Sequence, residues 1–185
     1  MDDGDVIARS LDDPEHFGVI FDRHFDEIHR YLRRRHPTHA DELAAEVFTV
    51  AFDGRARYRA IGDSSRPWLY GIAAKLLARR RRSEGRELRA HARSGGRAPT
   101  VGDEFADAVD RADARRRSAE VAGALASLRP ADRETLLLYA LGDLSYEEVA
   151  AALDVPLGTV RSRLARVRRQ CAAQLGLNSG GQHHD

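Results

Sequence analysis

The sequence predicts an all-α protein of two small helical domains joined by a flexible linker, and three features predict it. Apolar residues recur at three- and four-residue steps, with no convincing strand alternation and no internal repeat. A breaker cluster, Ser94-Gly95-Gly96-Arg97-Ala98-Pro99, sits inside a charged stretch without a sustained apolar period. The segment from Leu144 to Arg169, LSYEEVAAALDVPLGTVRSRLARVRR, reads as two short helices joined by a tight turn, the second loaded with arginine.

Taken in order, residues 1–14 are acidic (Asp2, Asp3, Asp5, Asp12, Asp13) and are expected to form a loosely ordered tail. The first helical unit spans residues 15–85. Phe17, Phe21, Phe25, Ile28 and Leu32 mark a helix from Glu15 to Arg35, which Pro37 ends. Thr38 with Asp41 resembles a capping box, and Leu43, Val47, Val50 and Ala51 form the buried stripe of a second helix that stops near Gly54. Its other face carries Asp41, Glu42 and Glu46 with Phe48 beside them, an acidic surface with an exposed aromatic that suits a basic, grooved partner. A plain solvated face is the alternative.

Arg55 to Ser65 is a loop, and a third helix starts near Ser65 with Pro67 in its first turn. Trp68, Leu69, Ile72, Ala73 and Leu76 form its apolar side, and it is expected to end in Arg79-Arg80-Arg81-Arg82. Trp68 reads most simply as a core residue, while Trp and Tyr beside a basic helix also make a base-stacking platform. Residues 86–114 are the linker, within which Phe105 and Val109 suggest the start of a helix.

The second unit spans residues 115–176. Val121, Leu125 and Leu128 form one stripe. Pro130 opens the next helix, Leu136, Leu137 and Tyr139 to Leu141 are its apolar part, and Gly142 closes it. Ser145 and Glu148 then form a capping box, followed by Val149, Ala150 and Leu153 at helical spacing. Asp154-Val155-Pro156 breaks the pattern. Val160, Leu164 and Val167 are the buried stripe of the last helix, with Arg161, Ser162, Ala165 and Arg166 facing away. That is the pattern of a helix-turn-helix, whose second helix enters the DNA major groove. A surface helical hairpin with a solvated basic face is the bland alternative. Residues 177–185 are a polar tail.

Composition narrows the function. The net charge is only +1, yet basic residues concentrate around Arg79 to Arg82 and Arg161 to Arg169, two patches that can each track phosphate. Lys75 is the sole lysine, and an arginine-for-lysine bias with abundant alanine suggests a GC-rich genome. The single cysteine, Cys171, excludes an internal disulfide framework and a multi-cysteine zinc site. His36 and His39 flank Pro37 without thiol or carboxylate ligands at suitable spacing, so no metal site is expected. No apolar run is long enough to span a membrane, and the acidic start lacks the basic region of a signal peptide.

The motifs resemble a known family. LASLRPADRETLLLYALGDLSYEE leading into LSYEEVAAALDVPLGTVRSRLARVRR is similar to domain four of bacterial RNA polymerase sigma factors of the extracytoplasmic-function group, within the sigma-70 family. ADELAAEVFTVAF resembles the family's core-polymerase-binding helix, and RPWLYGIAAKLLARRRR its promoter-melting and −10-reading helix in domain two. The resemblance covers about residues 15–85 and 115–172.

It implies that Thr159, Arg161, Ser162, Ala165 and Arg166 read the −35 element, with Tyr146, Arg163 and Arg168 on phosphate or polymerase. Arg57, Tyr58, Ile61, Trp68, Tyr70, Lys75 and Arg79 would read and melt the −10 element, the loop from Arg55 to Ser65 holding a flipped-out base. Glu42, Leu43, Glu46 and Phe48 would dock on core polymerase. Ala45 stands where the family often has Gln, and Lys75 where Asn is frequent. The implied partners are core RNA polymerase, promoter DNA and an anti-sigma factor, in the cytoplasm and with no membrane contact. No enzymatic activity, cofactor or metal is implied. A stand-alone DNA-binding regulator and an enzyme with a small-molecule site in its N-terminal helices remain as other readings; the latter lacks a convergent catalytic set.

Overall fold

The structure is a computed structural model that describes residues 1–93 and 121–174. Among the described residues it consists of helices and turns without strands. Residues 1–14 are a correction to the sequence reading. They are not a loose tail: helix α1 (Asp3–Arg9) forms there, capped by Asp2, which accepts from the Asp5 N–H at 2.8 Å. Val6 and Ile7 on α1 are buried.

A 3-10 turn (Pro14–Phe17) leads into α2 (Gly18–Arg35). Phe17, Ile28 and Leu32 are buried as their spacing predicts, but so are Ile20, His24 and Tyr31, while Phe21 is 40% exposed. The buried face is wider than one stripe because α2 packs on α1, α3, α4 and α6.

Helix α3 (Ala40–Gly54) follows a second 3-10 turn (Pro37–His39). The Thr38–Asp41 capping box does not form; His39 is the N-cap without a side-chain bond, and Asp41 instead meets His29 Nε2 at 2.7 Å. Leu43, Val47 and Ala51 are buried, but Val50 is 42% exposed and Phe48 is buried in its place.

Helix α4 (Arg66–Arg93) is longer than predicted. It does not end at Arg82, so residues 86–93, assigned to the linker, are helical. The breaker cluster, Phe105 and Val109 lie outside the described residues. Leu69, Ile72, Ala73 and Leu76 are buried, together with Tyr70 and Leu77.

The second unit begins with the described part of α5, residues 121–127. Ala124 on it and Leu128 just past its end are buried, and Val121 is 50% exposed. Helix α6 (Pro130–Gly142) has the predicted bounds, with Leu138 rather than Tyr139 at its buried centre. Helices α7 (Tyr146–Leu153) and α8 (Leu157–Gln174) complete the fold.

One buried apolar core runs through both units, from Val6 and Ile20 to Val149 and Leu164. At its centre α4 crosses α7 at the closest possible approach. A Cβ on Gly71 would lie 2.6 Å from the Ala152 carbonyl oxygen, so only glycine fits there. Gly142 is pressed by the Tyr70 ring, with 2.9 Å between a hypothetical Cβ and Cε1.

Charge also ties the second unit to the first. Glu134 on α6 accepts from Arg35 at 3.0 and 2.8 Å, from Arg81 at 3.1 Å and from the Tyr31 hydroxyl at 3.2 Å. Burial opposes ionisation of Glu134, but the Arg35 guanidinium outweighs it and holds the carboxyl below its ordinary range. Arg66 on α4 bonds Glu27 at 3.0 Å and the Gly142 carbonyl at 3.1 Å, and reaches Glu148 at 3.7 Å.

Candidate nucleic-acid interface

The helix-turn-helix is set by local chemistry. The Glu148 N–H donates to the Ser145 hydroxyl at 3.1 Å and the Ser145 N–H to the Glu148 carboxylate at 2.8 Å, a complete capping box. Asp154 ends α7 in the left-handed region, with φ 53°, as a short polar side chain permits. The Pro156 carbonyl then accepts from the Thr159 N–H at 2.8 Å as α8 begins. Val160, Leu164 and Val167 are buried, so the opposite face of α8 is fixed in direction. Arg161 and Ser162 are exposed there, with Thr159 and Ala165 half-buried beside them.

The other residues assigned to this region are tied up within the protein. Both Arg166 contacts go to Asp132, at 2.8 Å each, and Asp132 is 2% exposed. Arg166 thus neutralises a buried carboxylate through one guanidinium nitrogen, while its side chain stays 41% exposed. Arg163 points back to the Thr135 hydroxyl at 3.4 Å. Arg168 donates to the Tyr146 hydroxyl, pairing two of the candidate phosphate contacts.

The second candidate surface is a cleft of about 340 Å³ beside the loop between α3 and α4. Arg57, Tyr58, Ile61, Trp68 and Lys75, separated in sequence, line it together. Trp68 is half-buried with its ring 4.8 Å from Tyr58, so it serves as both core and wall. The Tyr58 hydroxyl is buried without a hydrogen-bond partner, and burial raises its pKa. That hydroxyl feels the Asp3 and Asp2 carboxylates, so it faces α1 and its ring forms the cleft wall. Ile61 is 59% exposed, available for apolar contact with a base.

Two assigned residues lie elsewhere. Tyr70 is 2% exposed, edge-on to Tyr31 at 5.0 Å, and burial pushes its hydroxyl up to about 12. It belongs to the core and not to a DNA-facing surface. Arg79 is exposed one turn beyond the cleft, 3.8 Å from Glu46.

The far wall of the cleft is Ala151 and Ala152 of α7 with Asp154 at its C-cap. Sequence reading missed that wall, because no local pattern signals which helices of different units will meet. It also missed Arg59, which lines the cleft and belongs to the same basic loop.

The acidic face of α3 is smaller than expected. Glu42 and Glu46 project outward, but Leu43 and Phe48 are 1% and 5% exposed. Phe48 packs on the Phe21 and Phe25 rings at 4.9 and 6.0 Å, so those two apolar residues support α3 from behind. Glu42 is not a free acid either. It meets His39 at 3.0 Å and Arg80 at 3.3 Å, which lower its pKa. The four-arginine run of α4 is therefore partly engaged: Arg80 and Arg81 make ion pairs within the protein, Arg79 makes a looser one with Glu46 while exposed, and Arg82 is exposed.

Among the described residues no group of three or more His, Cys, Asp or Glu side chains could hold a metal ion. No helix among them is long and apolar enough to cross a membrane.

Comparison with known proteins follows the same division of the chain. The family model for sigma-70 region 2 matches residues 20–87, and that for sigma-70 region 4 matches residues 118–171. The chain is 30% identical over 165 residues to the extracytoplasmic-function RNA polymerase sigma factor SigK of Mycolicibacterium vanbaalenii, covering 86% of this chain and 83% of that one. It is 36% identical over 132 residues to the sigma factor SigC of Mycobacterium tuberculosis, covering 70% and 66%. Among solved structures, the sigma factor RpoE from Bartonella quintana, in complex with the anti-sigma factor NepR, shares the fold with a TM-score of 0.60. That likeness covers 88% of this chain and 98% of the other at 21% identity.

Proposed function

The chain belongs to the extracytoplasmic-function group of the sigma-70 family, and from that premise we propose how it directs promoter-specific transcription initiation. It binds core RNA polymerase and addresses it to DNA with two grips. Arg161, Ser162, Thr159 and Ala165 on α8 read the −35 element in the major groove, where a bidentate arginine–guanine pair supplies about 1–3 kcal/mol of discrimination. The cleft of Arg57, Tyr58, Ile61, Trp68 and Lys75 takes an unstacked base of the −10 element. Each base-pair step opened costs about 1.4 kcal/mol of stacking, and capture in a half-apolar pocket offsets part of it. Glu42 and Glu46, with the arginines beside them, meet the polymerase.

The observation that carries this reading is the gathering of Arg57, Tyr58, Ile61, Trp68 and Lys75 into one cleft apart from the exposed face of α8. A stand-alone regulator needs only the second surface, and a region 2 match over residues 20–87 has no place in one. The sigma-70 family is not a class of enzymes, and nucleotidyl transfer stays with the polymerase, so the chain works where the polymerase does, in the cytoplasm. An anti-sigma protein, such as the one that RpoE carries, is its expected inhibitor.

Since α7 walls the −10 cleft, the arrangement of α4 against α7 fits a resting form whose two units part before DNA strands enter. The test is transcription with sigma-free core polymerase. Promoter-dependent transcripts that require this chain support the reading, and failure to bind core polymerase refutes it even if the chain binds DNA.

A further inference from the structure

The short helix α1 lies outside the residues matched by the region 2 family model, yet it holds both ends of the loop that forms the −10 cleft. At the loop's start, Arg55 Nε donates to the Ser10 carbonyl at 3.2 Å, just past the end of α1. At its finish, the Asp3 carboxylate accepts from the Ser65 N–H at 2.7 Å and the Ser65 hydroxyl at 2.9 Å. The Asp3 N–H donates to the Asp63 carbonyl at 3.2 Å. Between these anchors Arg57, Arg59, Ala60, Ile61 and Gly62 are exposed, and Gly62 turns the chain with φ 77°.

Asp3 is unusual as a buried carboxylate. It is 4% exposed. Its second partners are His24 Nε2 at 2.6 Å and Arg23 at 2.8 Å, both on α2. His24 is itself braced by Glu27 at 2.8 Å, and Glu27 by Arg66 at 3.0 Å. The carboxylate thus locks the loop to two helices through a network of charged groups. Buried charge is costly unless fully paired, and an apolar contact would have sufficed to dock a helix. What the network adds is direction: charge-assisted bonds fix position more tightly than packing does. A pocket that discriminates bases needs its wall fixed to a fraction of an ångström, or it adapts to the wrong base.

We propose that α1 is part of the −10-reading machinery, and that Asp3 is a positioning residue that sets base selectivity by fixing the loop from Arg55 to Ser65. The inference rests on the reading of that loop as a base pocket. Asp3 touches no DNA; it acts through Ser65 and Asp63.

The experiment uses the full chain bound to core polymerase and a single-stranded DNA library randomised across the −10 region, with bound strands sequenced. Wild type enriches one base at the position held by the loop, and Ile61→Ala flattens that position. Asp3→Asn keeps the side-chain size and removes the charge. It is expected to lower enrichment at that position about tenfold, the size of one lost base contact, with core binding and the other −10 positions unchanged. Ser65→Ala removes only the hydroxyl link and is expected to fall between. Enrichment is a ratio of affinities within one sample, so a smaller folded fraction does not move it. An Asp3→Asn profile equal to wild type beside a flattened Ile61→Ala profile overturns this inference and leaves the base-pocket reading standing. A wild type without preference, or an Ile61→Ala profile equal to it, overturns that reading and the inference with it.

Discussion

Replacing Glu134 with glutamine is expected to open the molecule. In the wild type its carboxylate sits between Arg35, Arg81 and the Tyr31 hydroxyl, and the Arg35 and Glu134 side chains are 6% and 15% exposed. Removing one partner of a buried pair costs about 3–5 kcal/mol, because the other charge stays buried. Glutamine keeps the volume and one acceptor oxygen, so the lower end, about 3 kcal/mol, is the fitting figure. The partly exposed Arg81 bond adds little. This cost falls on the closed form alone, since both side chains reach water once α6 leaves α2 and α4. At tenfold per ~1.4 kcal/mol, opening becomes about 100-fold more favourable. Small-angle scattering of the free protein should then show a larger radius of gyration, and a fluorescent single strand should bind more tightly as α7 leaves the cleft. If urea unfolding registers the lost stability while neither radius nor DNA affinity changes, Glu134 is a stabilising contact and not a latch.

Gly71→Leu should act in the same direction, because its side chain must displace the Ala152 carbonyl, and combined with Glu134→Gln it should add little further opening. Arg161→Ala should lose −35 discrimination by about 1–3 kcal/mol with unfolding unchanged, measured by competition between wild-type and altered −35 duplexes. Arg166→Ala should also cost about 1–3 kcal/mol of folding stability by leaving the buried Asp132 carboxylate without its partner, seen in urea titration. Folding should also depend on pH from both sides of the α1 network. Asp3, which burial would raise but its Ser65, Arg23 and His24 bonds pull down to about 2 from 3.8, contributes about 2.5 kcal/mol. That contribution is present above pH 3.8 and lost as pH falls through about 2. His24, raised above 6.5 by Glu27 and Asp3 against the effect of burial, contributes fully below 6.5 and loses that contribution as pH rises through its raised value. Urea titrations across pH should lose the acid limb in Asp3→Asn and the alkaline limb in His24→Gln.

What the sequence made legible was set by neighbours in the chain. Ser145 with Glu148, Asp154 at a left-handed turn and Pro130 at a helix start each act within four residues, and each does in the structure what its chemistry predicts. The stripe of α8 was equally plain, since Val160, Leu164 and Val167 recur at three- and four-residue steps and all three are buried. Misreadings arose where a helix meets several neighbours. On α3, Phe48 and Val50 sit at opposite edges of one apolar arc, and periodicity alone does not say which edge the Phe21 and Phe25 rings will cover. On α1 an acidic run has the composition of a solvated tail. Its order comes from Ser65 and His24, partners that no window of sequence around Asp3 contains.

The same distinction applies inside the best-read motif. Glu148 was legible as the capping acid of α7, and one carboxylate oxygen does accept from the Ser145 N–H. The other oxygen lies 3.7 Å from Arg66, the first residue of α4, which also holds Glu27 and the Gly142 carbonyl. A residue whose local role fully accounts for its presence thus joins the helix-turn-helix to the helix that lines the Trp68 cleft. Local signals specify each grip, and side chains with a second contact left over decide how the grips sit together. The arginine face of α8 shows the converse: Arg166 matched the expected reading face by position, yet one of its guanidinium nitrogens is held by Asp132 on another helix. A position on a helix face fixes where a side chain starts, and the buried charges within reach fix what it is for.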